Sequence, residues 1–384
     1  MSSMITNSAR DLAEHFHEVY RRAPEGVWHA PGRVNLIGEH TDYNDGLVLP
    51  FALARGVSVA AARRDDGVLE LRSRQAAEPA TVRLDTLAPG ATKGWASYAA
   101  GVAWALRTAG HPVAGASLLI DSDLPQGAGL SSSAALECAV QLALCELSGL
   151  DIPRPDQARL AQRAENEFVG MPCGIMDQSA ALLCTADHAL LLDCRSGLST
   201  QVPLALDGLT LLVIDTRAAH ELVAGEYAAR RSQCERAAEA LGVPALRDVE
   251  DLAAALAALD DPVLRRRVRH VVTENHRVEA TVGLLRAGAG TEVGAMLTAA
   301  HLSLRDQFEV SWPEADVTVE EAVRAGARGG RMVGGGFGGS VIVLTPSDSA
   351  GTVRDAVLTA YADRDWTEPA FLEATPADGA QRLL

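Results

Sequence analysis

The sequence predicts an α+β fold divided into two domains, and three observations support this prediction. A length of 384 residues is more than one domain usually needs and is enough for two hydrophobic cores. Apolar residues make up 48% of the chain and charged residues 22%, which is typical of a globular protein. Segments with strand character are mixed with helical segments, without the strict βαβ rhythm of a parallel sheet. The domain boundary is expected near Gly197, between residues 1–196 and residues 197–384.

The individual elements follow from hydrophobic periodicity and from turn residues. Strands are expected within the β-rich region 27–71, at 57–60 and 69–71, and further on at 116–120, 189–192, 209–215 and 341–344. Helices are expected at 95–108, 134–147, 155–168, 219–241, 248–256, 262–285, 291–304 and 313–325. The helix at 134–147 has few polar residues and should be largely buried.

Charge excludes several classes of function. The formal net charge is −16, which disfavours binding to nucleic acid or to an anionic membrane.

Lys93 is the only lysine among 34 basic residues, and it lies in the sequence Thr-Lys-Gly-Trp. A Walker A loop, a protein kinase and a pyridoxal enzyme each need a lysine in a different setting. Any phosphate site must therefore use backbone N–H groups, arginine and metal.

The six cysteines form no C-x-x-C pair and no metal-binding spacing, which favours reduced thiols in a cytoplasmic protein. The first residues lack the apolar region of a secretory signal, and no apolar run is long enough to span a membrane. Cys173 is interpreted as a small buried residue, because no histidine follows or precedes it closely.

A glycine- and serine-rich segment, Gly127-Ala128-Gly129-Leu130-Ser131-Ser132-Ser133, lies between a predicted strand and the buried helix. Glycines allow close approach to a phosphate, serines can cap the helix, and the helix N-terminus favours an anion. The alternative is a capped helix after a tight turn. A dinucleotide site is disfavoured, because Ser132 replaces the third glycine of that motif.

A second glycine-rich segment, residues 334–339, matches the spacing G-x-G-x-x-G. A strand follows it where a dinucleotide site would have a helix, so the dinucleotide interpretation fails. Five glycines in six residues indicate close backbone packing, with a flexible hairpin as the alternative.

The segment from Gly32 to Gly46, GRVNLIGEHTDYNDG, concentrates groups that can bind sugar hydroxyls. A calcium loop is the rival interpretation, but its glycine falls at the wrong position and no glutamate closes it. Downstream, Asp177 follows a turn containing proline and glycine, and Glu165 lies near the end of a predicted helix. Taken alone, these two carboxylates are compatible with a helix cap and a solvated charge.

Together these segments resemble the GHMP small-molecule kinases and, within them, the galactokinases. The resemblance rests on GRVNLIGEHTDYNDG, GAGLSSSAALE, PCGIMDQ and GGGFGGS, which occur in the expected order between about residue 26 and residue 344. It implies a two-domain fold with an N-terminal nucleotide-binding α+β domain, a ferredoxin-like C-terminal domain and an active site between them.

The resemblance also implies roles for individual residues. Asp177 would be the general base and Arg33 would stabilise the transition state. Sugar hydroxyls would be bound by Glu39, His40, Thr41, Asp42, Gly174 and Tyr227. The ATP phosphates would be bound by residues 127–133, Mg²⁺ by Ser133 and Glu165, and the rest of the nucleotide near Ser73 and Trp95.

The implied reaction is phosphorylation of D-galactose by ATP at the anomeric hydroxyl, the first committed step of galactose catabolism. The expected partners are D-galactose and ATP, without nucleic acid or membrane, in a monomer or weak homo-oligomer. Two alternatives remain: a kinase for N-acetylgalactosamine, galacturonate or arabinose, and a non-catalytic galactose sensor. The complete serine-rich segment disfavours the sensor.

Overall fold

A computed structural model gives the fold and describes residues 2–125, 127–218 and 223–384. The strands are β1 (Gly26–Asn35), β2 (Leu47–Val48), β3 (Pro50–Arg64), β4 (Val68–Ser73), β5 (Ala80–Arg83), β6 (Gly115–Ser122), β7 (His188–Asp193), β8 (Ser199–Pro203), β9 (Leu209–Asp215), β10 (Gly329–Val333), β11 (Ser340–Pro346), β12 (Ala370–Ala374), β13 (Pro376–Ala377) and β14 (Gln381–Arg382). The helices are α1 (Ser2–Tyr20), α2 (Ala96–Thr108), α3 (Ser132–Leu147), α4 (Arg154–Arg163), α5 (Met176–Leu183), α6 (Val223–Leu241), α7 (Leu252–Ala258), α8 (Pro262–Arg286), α9 (Val293–Ser303), α10 (Pro313–Arg324) and α11 (Ala350–Ala362). Two π-helical segments, Ala164–Val169 and Leu304–Phe308, continue α4 and α9.

The predicted α+β class is confirmed, and each predicted strand overlaps an observed one. Two helix predictions need adjustment. The helix expected at 248–256 begins at Leu252, because a separate 3₁₀ turn occupies residues 246–248. The helix expected at 219–241 begins at 223 in the structure, and residues 219–222 lie outside the described residues.

The large sheet has the strand order β14-β1-β3-β6-β4-β5, with β13 also paired to β3. Its strands are antiparallel except for β4 beside β6. Strand β1 is buried along its whole length, and α3 packs across β1 and β3 as the predicted buried helix. The residues on β1 are therefore held between a sheet and a helix, which suits a strand that carries functional side chains.

A four-stranded antiparallel sheet, with the order β10-β11-β9-β12, forms the C-terminal half of the molecule. When β9 is counted as the first strand of this sheet, the spatial order of its strands is 2-3-1-4. Helices α6 to α10 connect β9 to β10, and helix α11 connects β11 to β12. This is the arrangement of a ferredoxin-like domain. The hairpin between β10 and β11 is residues 334–339, the second glycine-rich segment of the sequence.

The end of the chain returns to the N-terminal sheet. Strand β14 pairs with β1, and the backbone N–H of Leu383 donates to the carbonyl of Val27 at 2.7 Å. The N–H of Ala380 likewise donates to the carbonyl of Ala181 at 2.7 Å. The expected boundary near Gly197 stays a prediction, and Gly197 itself lies in the turn between the paired strands β7 and β8.

Within the described residues, none of the helices combines the length and the apolar character that a bilayer crossing requires.

We predict that deleting residues 376–384 lowers the free energy of unfolding by roughly 2–4 kcal/mol, because strands β13 and β14 and their hydrogen bonds are lost. Urea denaturation of the deletion variant and the full chain measures this difference. The substitution Arg382→Ala is the control. It removes an exposed ion pair with Glu146 and a contact with the Trp28 ring but keeps the strand pairing, so its effect should be under about 1 kcal/mol. Equal stability of the deletion variant and the full chain would contradict the prediction.

Candidate active site

An irregularity in strand β1 places Arg33. The register between β1 and β3 shifts between Pro31 and Arg33, so β1 carries a bulge there. Gly32 sits in this bulge, and a Cβ atom on it would approach the carbonyl oxygen of Leu130 to 2.7 Å. The N–H of Arg33 donates to that same carbonyl at 3.2 Å. The bulge therefore brings Arg33 against the glycine- and serine-rich segment.

Arg33 and Asp177, 144 residues apart in sequence, form a two-point ion pair. Arg33 Nε lies 2.9 Å from Asp177 Oδ1, and Arg33 Nη2 lies 3.0 Å from Asp177 Oδ2. Arg33 Nη1 donates to the carbonyl of Gly129 at 2.7 Å. Burial disfavours the guanidinium cation, but Asp177, together with Glu39, more than offsets this and raises the pKa of Arg33. Arg33 is thus a permanent cation between the carboxylate and the predicted phosphate loop.

A cavity of about 240 Å³ opens in front of this pair. It collects five of the six residues predicted to bind sugar hydroxyls, and it also includes residues for which no such role was predicted. The five are Glu39, His40, Asp42, Gly174 and Tyr227, and the additional lining residues are Met171, Pro172, Cys173, Met176, Gly334 and Gly335. Carboxylates, an imidazole and a phenol converging on one cavity make an array suited to several hydroxyl groups.

Thr41 is the predicted sugar residue that the structure places elsewhere. Its side chain is fully buried, and its hydroxyl lies 2.8 Å from the carbonyl of Gly38 and 2.7 Å from that of Leu47. These contacts close the turn that carries the neighbouring residues. The position of Thr41 therefore indicates a role in shaping the loop instead of direct sugar contact.

Asp42 packs directly against Gly174. A Cβ atom at residue 174 would lie 1.8 Å from Asp42 Oδ2, so only glycine leaves room for the carboxylate. Burial, together with the neighbouring charges of Asp177 and Glu39, raises the pKa of Asp42 to about 7. Its Oδ1 accepts a hydrogen bond from the N–H of Tyr43 at 3.0 Å. Asp42 is therefore poised between its neutral and charged forms near neutral pH.

His40 and Tyr227 contribute uncharged polar groups to the cavity. The ring of His40 lies among the rings of Tyr43, Tyr227 and Phe308, and its Nδ1 is 2.8 Å from the Tyr43 hydroxyl. Burial lowers the pKa of His40 well below its usual value, so the imidazole is neutral. Burial, with a smaller contribution from Asp42, raises the pKa of Tyr227 and keeps its hydroxyl protonated.

The segment 127–133 lies between this cavity and a second one of about 300 Å³. The second cavity contains Ser132 and Ser133 together with Ser73 and Trp95, the two residues predicted to lie near the nucleotide. Its other lining residues, which were not predicted, are Val57, Gln75, Ala76, Tyr98, Ile120, Ser122, Leu124 and Leu136. The predicted phosphate loop therefore contributes Ser132 and Ser133 to the second cavity and contacts Arg33 and Asp177, which line the first.

Ser131 differs from expectation. Its backbone is left-handed, with φ of 57°, and its hydroxyl donates to Asp177 Oδ2 instead of capping helix α3. The expected serine cap is wrong at this residue, because the left-handed backbone turns the side chain away from the N–H groups of the helix. The first turn of α3 thus has no side-chain cap at Ser131, which is the arrangement that favours an anion at a helix N-terminus.

The residues predicted to bind magnesium, Ser133 and Glu165, lie close to each other. Burial, followed by the charge of Asp177, raises the pKa of Glu165. Gln178 Nε2 donates to Glu165 Oε2 at 2.7 Å and to the fully buried Glu137 at 3.2 Å. One hydroxyl and one carboxylate are oxygen donors of the kind Mg²⁺ prefers, with phosphate oxygens and water as the remaining ligands. The donor set therefore fits Mg²⁺, and no group of three or more metal-binding side chains occurs among the described residues.

Cys173 is half-buried, and its thiol lies 3.4 Å from Glu165 Oε2. Burial, with the neighbouring carboxylate of Glu165, strongly raises the pKa of the thiol, so it is no nucleophile. The prediction of a small residue without nucleophilic chemistry agrees with this placement, although the side chain borders the cavity.

Comparison with known proteins identifies the family. A family model for the galactokinase galactose-binding signature matches residues 14–63, and models for the N- and C-terminal GHMP kinase domains match residues 97–185 and 281–363. The galactokinase of Streptomyces coelicolor is 52% identical over 98% of this chain and 99% of its own length. The chain belongs to the galactokinase family. Another member, from Mycobacterium tuberculosis strain H37Rv, is 49% identical over 91% of this chain and 97% of its own length.

Solved structures agree with membership of the galactokinase family. The structure of Lactococcus lactis galactokinase in complex with galactose has a TM-score of 0.94 at 33% identity, covering 97% of this chain and 99% of that one. A mevalonate kinase structure has a TM-score of 0.67 at 15% identity, covering 92% and 99%. The second likeness, at this low identity, concerns the fold alone.

We predict that Asp42→Asn stabilises the ligand-free protein more at pH 8 than at pH 5. The folded-state pKa of about 7 lies above the unfolded value of 3.8, so the folded state takes up a proton, and stability from Asp42 is lost as pH rises through 7. Asparagine does not ionise, and the variant should therefore gain about 1–3 kcal/mol relative to the parent between these pH values.

Urea denaturation of both proteins at pH 5 and pH 8 measures the difference. Asp45→Asn is the matched control, because the Asp45 carboxylate pairs with Arg195 at 3.0 Å and lies outside the sugar-sized cavity. A stability difference for Asp42→Asn that does not change with pH would contradict the prediction.

Proposed function

We propose that this chain is a galactokinase that transfers the γ-phosphoryl group of ATP to the anomeric hydroxyl of D-galactose. One observation carries the proposal: Arg33 and Asp177 line the sugar-sized cavity as an ion pair, and Arg33 also contacts Gly129 in the predicted phosphate loop. A sugar in the cavity and a phosphate on the loop would thus meet at this pair. The family membership and the galactose in the related Lactococcus lactis structure support the choice of substrates.

In this proposal Asp177 is the general base. Its carboxylate borders the cavity and accepts hydrogen bonds from Arg33 and Ser131, which fix its orientation. The anomeric hydroxyl would pass its proton to Asp177 while its oxygen forms a bond to the γ-phosphorus, and the bond from that phosphorus to the bridging oxygen of ADP breaks. Arg33 remains charged throughout and stabilises the negative charge on the transferring group.

The sugar hydroxyls would be bound by a fixed set of acceptors and donors. Glu39 and Asp42 offer carboxylate oxygens, while Tyr227 offers a protonated hydroxyl and His40 a neutral ring nitrogen. Buried polar groups that match a substrate hydroxyl reject analogues lacking that hydroxyl, because the protein group would be left unpaired. The array therefore supports selectivity for one arrangement of hydroxyl groups.

ATP is the co-substrate implied by the kinase family, and we place its phosphates on residues 127–133 at the start of helix α3. Ser133 and Glu165 would hold Mg²⁺, which supplies positive charge to the phosphate oxygens when it is bound. Within the chain, Gln178 holds Glu165 in place through its 2.7 Å hydrogen bond. The base of the nucleotide would enter the cavity lined by Trp95 and Ser73.

Because the reaction consumes ATP, we also propose that the enzyme works in the cytoplasm.

The decisive experiment is an assay of ATP consumption with galactose, N-acetylgalactosamine, galacturonate and arabinose, followed by identification of the phosphorylated hydroxyl. We expect galactose to be the best substrate, phosphate to be on the anomeric oxygen, and turnover to be lost when Mg²⁺ is removed with EDTA and restored by Mg²⁺. Faster turnover of another sugar would replace galactose as the substrate. Galactose binding without turnover would indicate the sensor instead.

We predict that Asp177→Asn lowers kcat by about 10²–10⁴-fold, because the amide keeps the size of the side chain but cannot accept the proton. Galactose binding measured by calorimetry should change much less than kcat. Lys93→Arg is the control, since Lys93 is exposed and lies outside both cavities, and it should retain parental turnover. Near-normal kcat in Asp177→Asn would remove Asp177 from the role of base.

A further inference from the structure

Arg331, on strand β10, is fully buried and lies outside every segment to which the sequence assigned a role. Its Nη1 donates to the carbonyls of Asn35 at 2.8 Å and Leu36 at 2.9 Å. Its Nη2 lies 2.8 Å from Glu39 Oε1 in an ion pair whose angle is poorer than that of an aligned hydrogen bond. Arg331 therefore reaches from the C-terminal sheet to the end of β1 and to the sugar cavity.

Glu39 is also restrained by the hairpin at 334–339, which directly follows the strand that carries Arg331. Its Oε1 accepts a hydrogen bond from the N–H of Gly334 at 2.8 Å, in addition to the Arg331 cation. Its side chain is only 3% exposed. Two partners on Oε1 fix the carboxylate plane, so that Oε2 is the oxygen left for a ligand in the cavity that Glu39 lines. A fixed acceptor discriminates between hydroxyl patterns better than a mobile one, because no ordering is needed on binding.

Charge balance in the cavity gives a second reason for Arg331. Glu39, Asp42 and Asp177 all line this one cavity. Arg33 makes both of its carboxylate hydrogen bonds to Asp177, so the direct ion-pair contact of Glu39 comes from another cation. A buried carboxylate without a cation is strongly destabilised, and Arg331 is the arginine that contacts Glu39 among the described residues.

From this geometry we infer that Arg331 is a positioning residue for sugar selectivity: it fixes Glu39 so that Glu39 Oε2 accepts a hydrogen bond from one galactose hydroxyl. Arg331 itself does not line the cavity. The inference rests on the proposed function, since it concerns how that same site selects its sugar. The alternative is a purely structural role, in which Arg331 joins two sheets through the carbonyls of β1.

A set of deoxygalactoses separates the two roles. We would measure kcat and KM for galactose and for its 2-, 3-, 4- and 6-deoxy analogues with the parent enzyme, Glu39→Gln and Arg331→Met. Glu39→Gln should lose discrimination against one analogue, the one lacking the hydroxyl that Glu39 contacts. Arg331→Met should lose discrimination against that same analogue. Its kcat/KM for galactose should fall by about 10- to 100-fold, mainly through KM, as expected for a hydrogen bond to a charged group.

The double variant Glu39→Gln/Arg331→Met tests whether Arg331 acts through Glu39. If it does, the double variant should discriminate among the sugars no less than Glu39→Gln alone, because the group that Arg331 positions is already altered. The double variant also removes both charges of the buried pair, so it should fold even if Arg331→Met alone does not. Arg331→Lys, which keeps the charge but not the planar fork, should be intermediate in selectivity.

Arg328→Met is the matched control, since Arg328 immediately precedes β10 and its side chain is exposed. It should retain the parental pattern of selectivity. Three outcomes would overturn the inference: unchanged selectivity in a folded Arg331→Met or Arg331→Lys, an equal loss for all sugars, or no change of selectivity in Glu39→Gln. These three outcomes can be distinguished from failure of the proposed function, because in that case the parent enzyme would not phosphorylate galactose at all.

Discussion

Three carboxylates in one small cavity impose the constraint on which the rest of this site depends. Asp177, Glu39 and Asp42 line the same cavity and repel one another, so each is stabilised by a compensating partner. Asp177 pairs with Arg33 and Glu39 pairs with Arg331, whereas Asp42 accepts a hydrogen bond from the backbone N–H of Tyr43. Burial, together with the neighbouring charges of Asp177 and Glu39, raises the pKa of Asp42 to about 7. The two arginines therefore compensate two of the three carboxylates that line the cavity.

The backbone is shaped to bring these charges together. A bulge in β1 turns Arg33 toward the phosphate loop, and Gly174 leaves space for Asp42. Helix α8 holds the backbone of the sugar loop, residues 38–47, from the other side. Its His270 donates to the carbonyl of Glu39 at 3.1 Å, and Glu274 accepts from the N–H of Gly38 at 3.0 Å. The sugar loop thus keeps its conformation through contacts with both halves of the molecule.

The hairpin at 334–339 and the strand residue that follows it contact both Glu39 and the predicted phosphate loop. Gly334 donates to Glu39 in the sugar cavity, while at the other end of the hairpin Ser340 donates to the carbonyl of Ala128 at 2.7 Å. Gly334 and Gly336 both have φ of 85°, which glycine adopts without strain. This explains the density of glycines in a segment that the sequence left open between close packing and a flexible hairpin. It is a hairpin, and it is closely packed, since a Cβ atom on Gly336 would lie 2.4 Å from the carbonyl oxygen of Val310.

The sequence was sufficient to predict the elements with strong periodicity and the residues inside local motifs. Helix α3, strand β9 and the segments carrying Arg33 and Asp177 were found in this way, and the family resemblance supplied their proximity. The sequence was not sufficient to predict contacts between segments that lie far apart in the chain. Arg331 on β10 carries no local signal that it will meet Glu39, because the two residues are 292 positions apart in the sequence (331 − 39) and come together only in the folded chain. The short strands β13 and β14 were missed for the same reason, since pairing with β1 and β3 defines them more than their own sequence does.

The near absence of lysine now has a structural counterpart. Arg33 and Arg331 each use more than one nitrogen, binding a carboxylate and backbone carbonyls at the same time. A guanidinium presents several donors in a fixed plane and stays protonated when buried, whereas a buried ammonium offers a single nitrogen and readily loses its proton. Arginine is therefore better suited than lysine to hold a carboxylate and backbone carbonyls together at these two positions. Lys93 does not occupy a position of this kind, because it lies exposed at the surface.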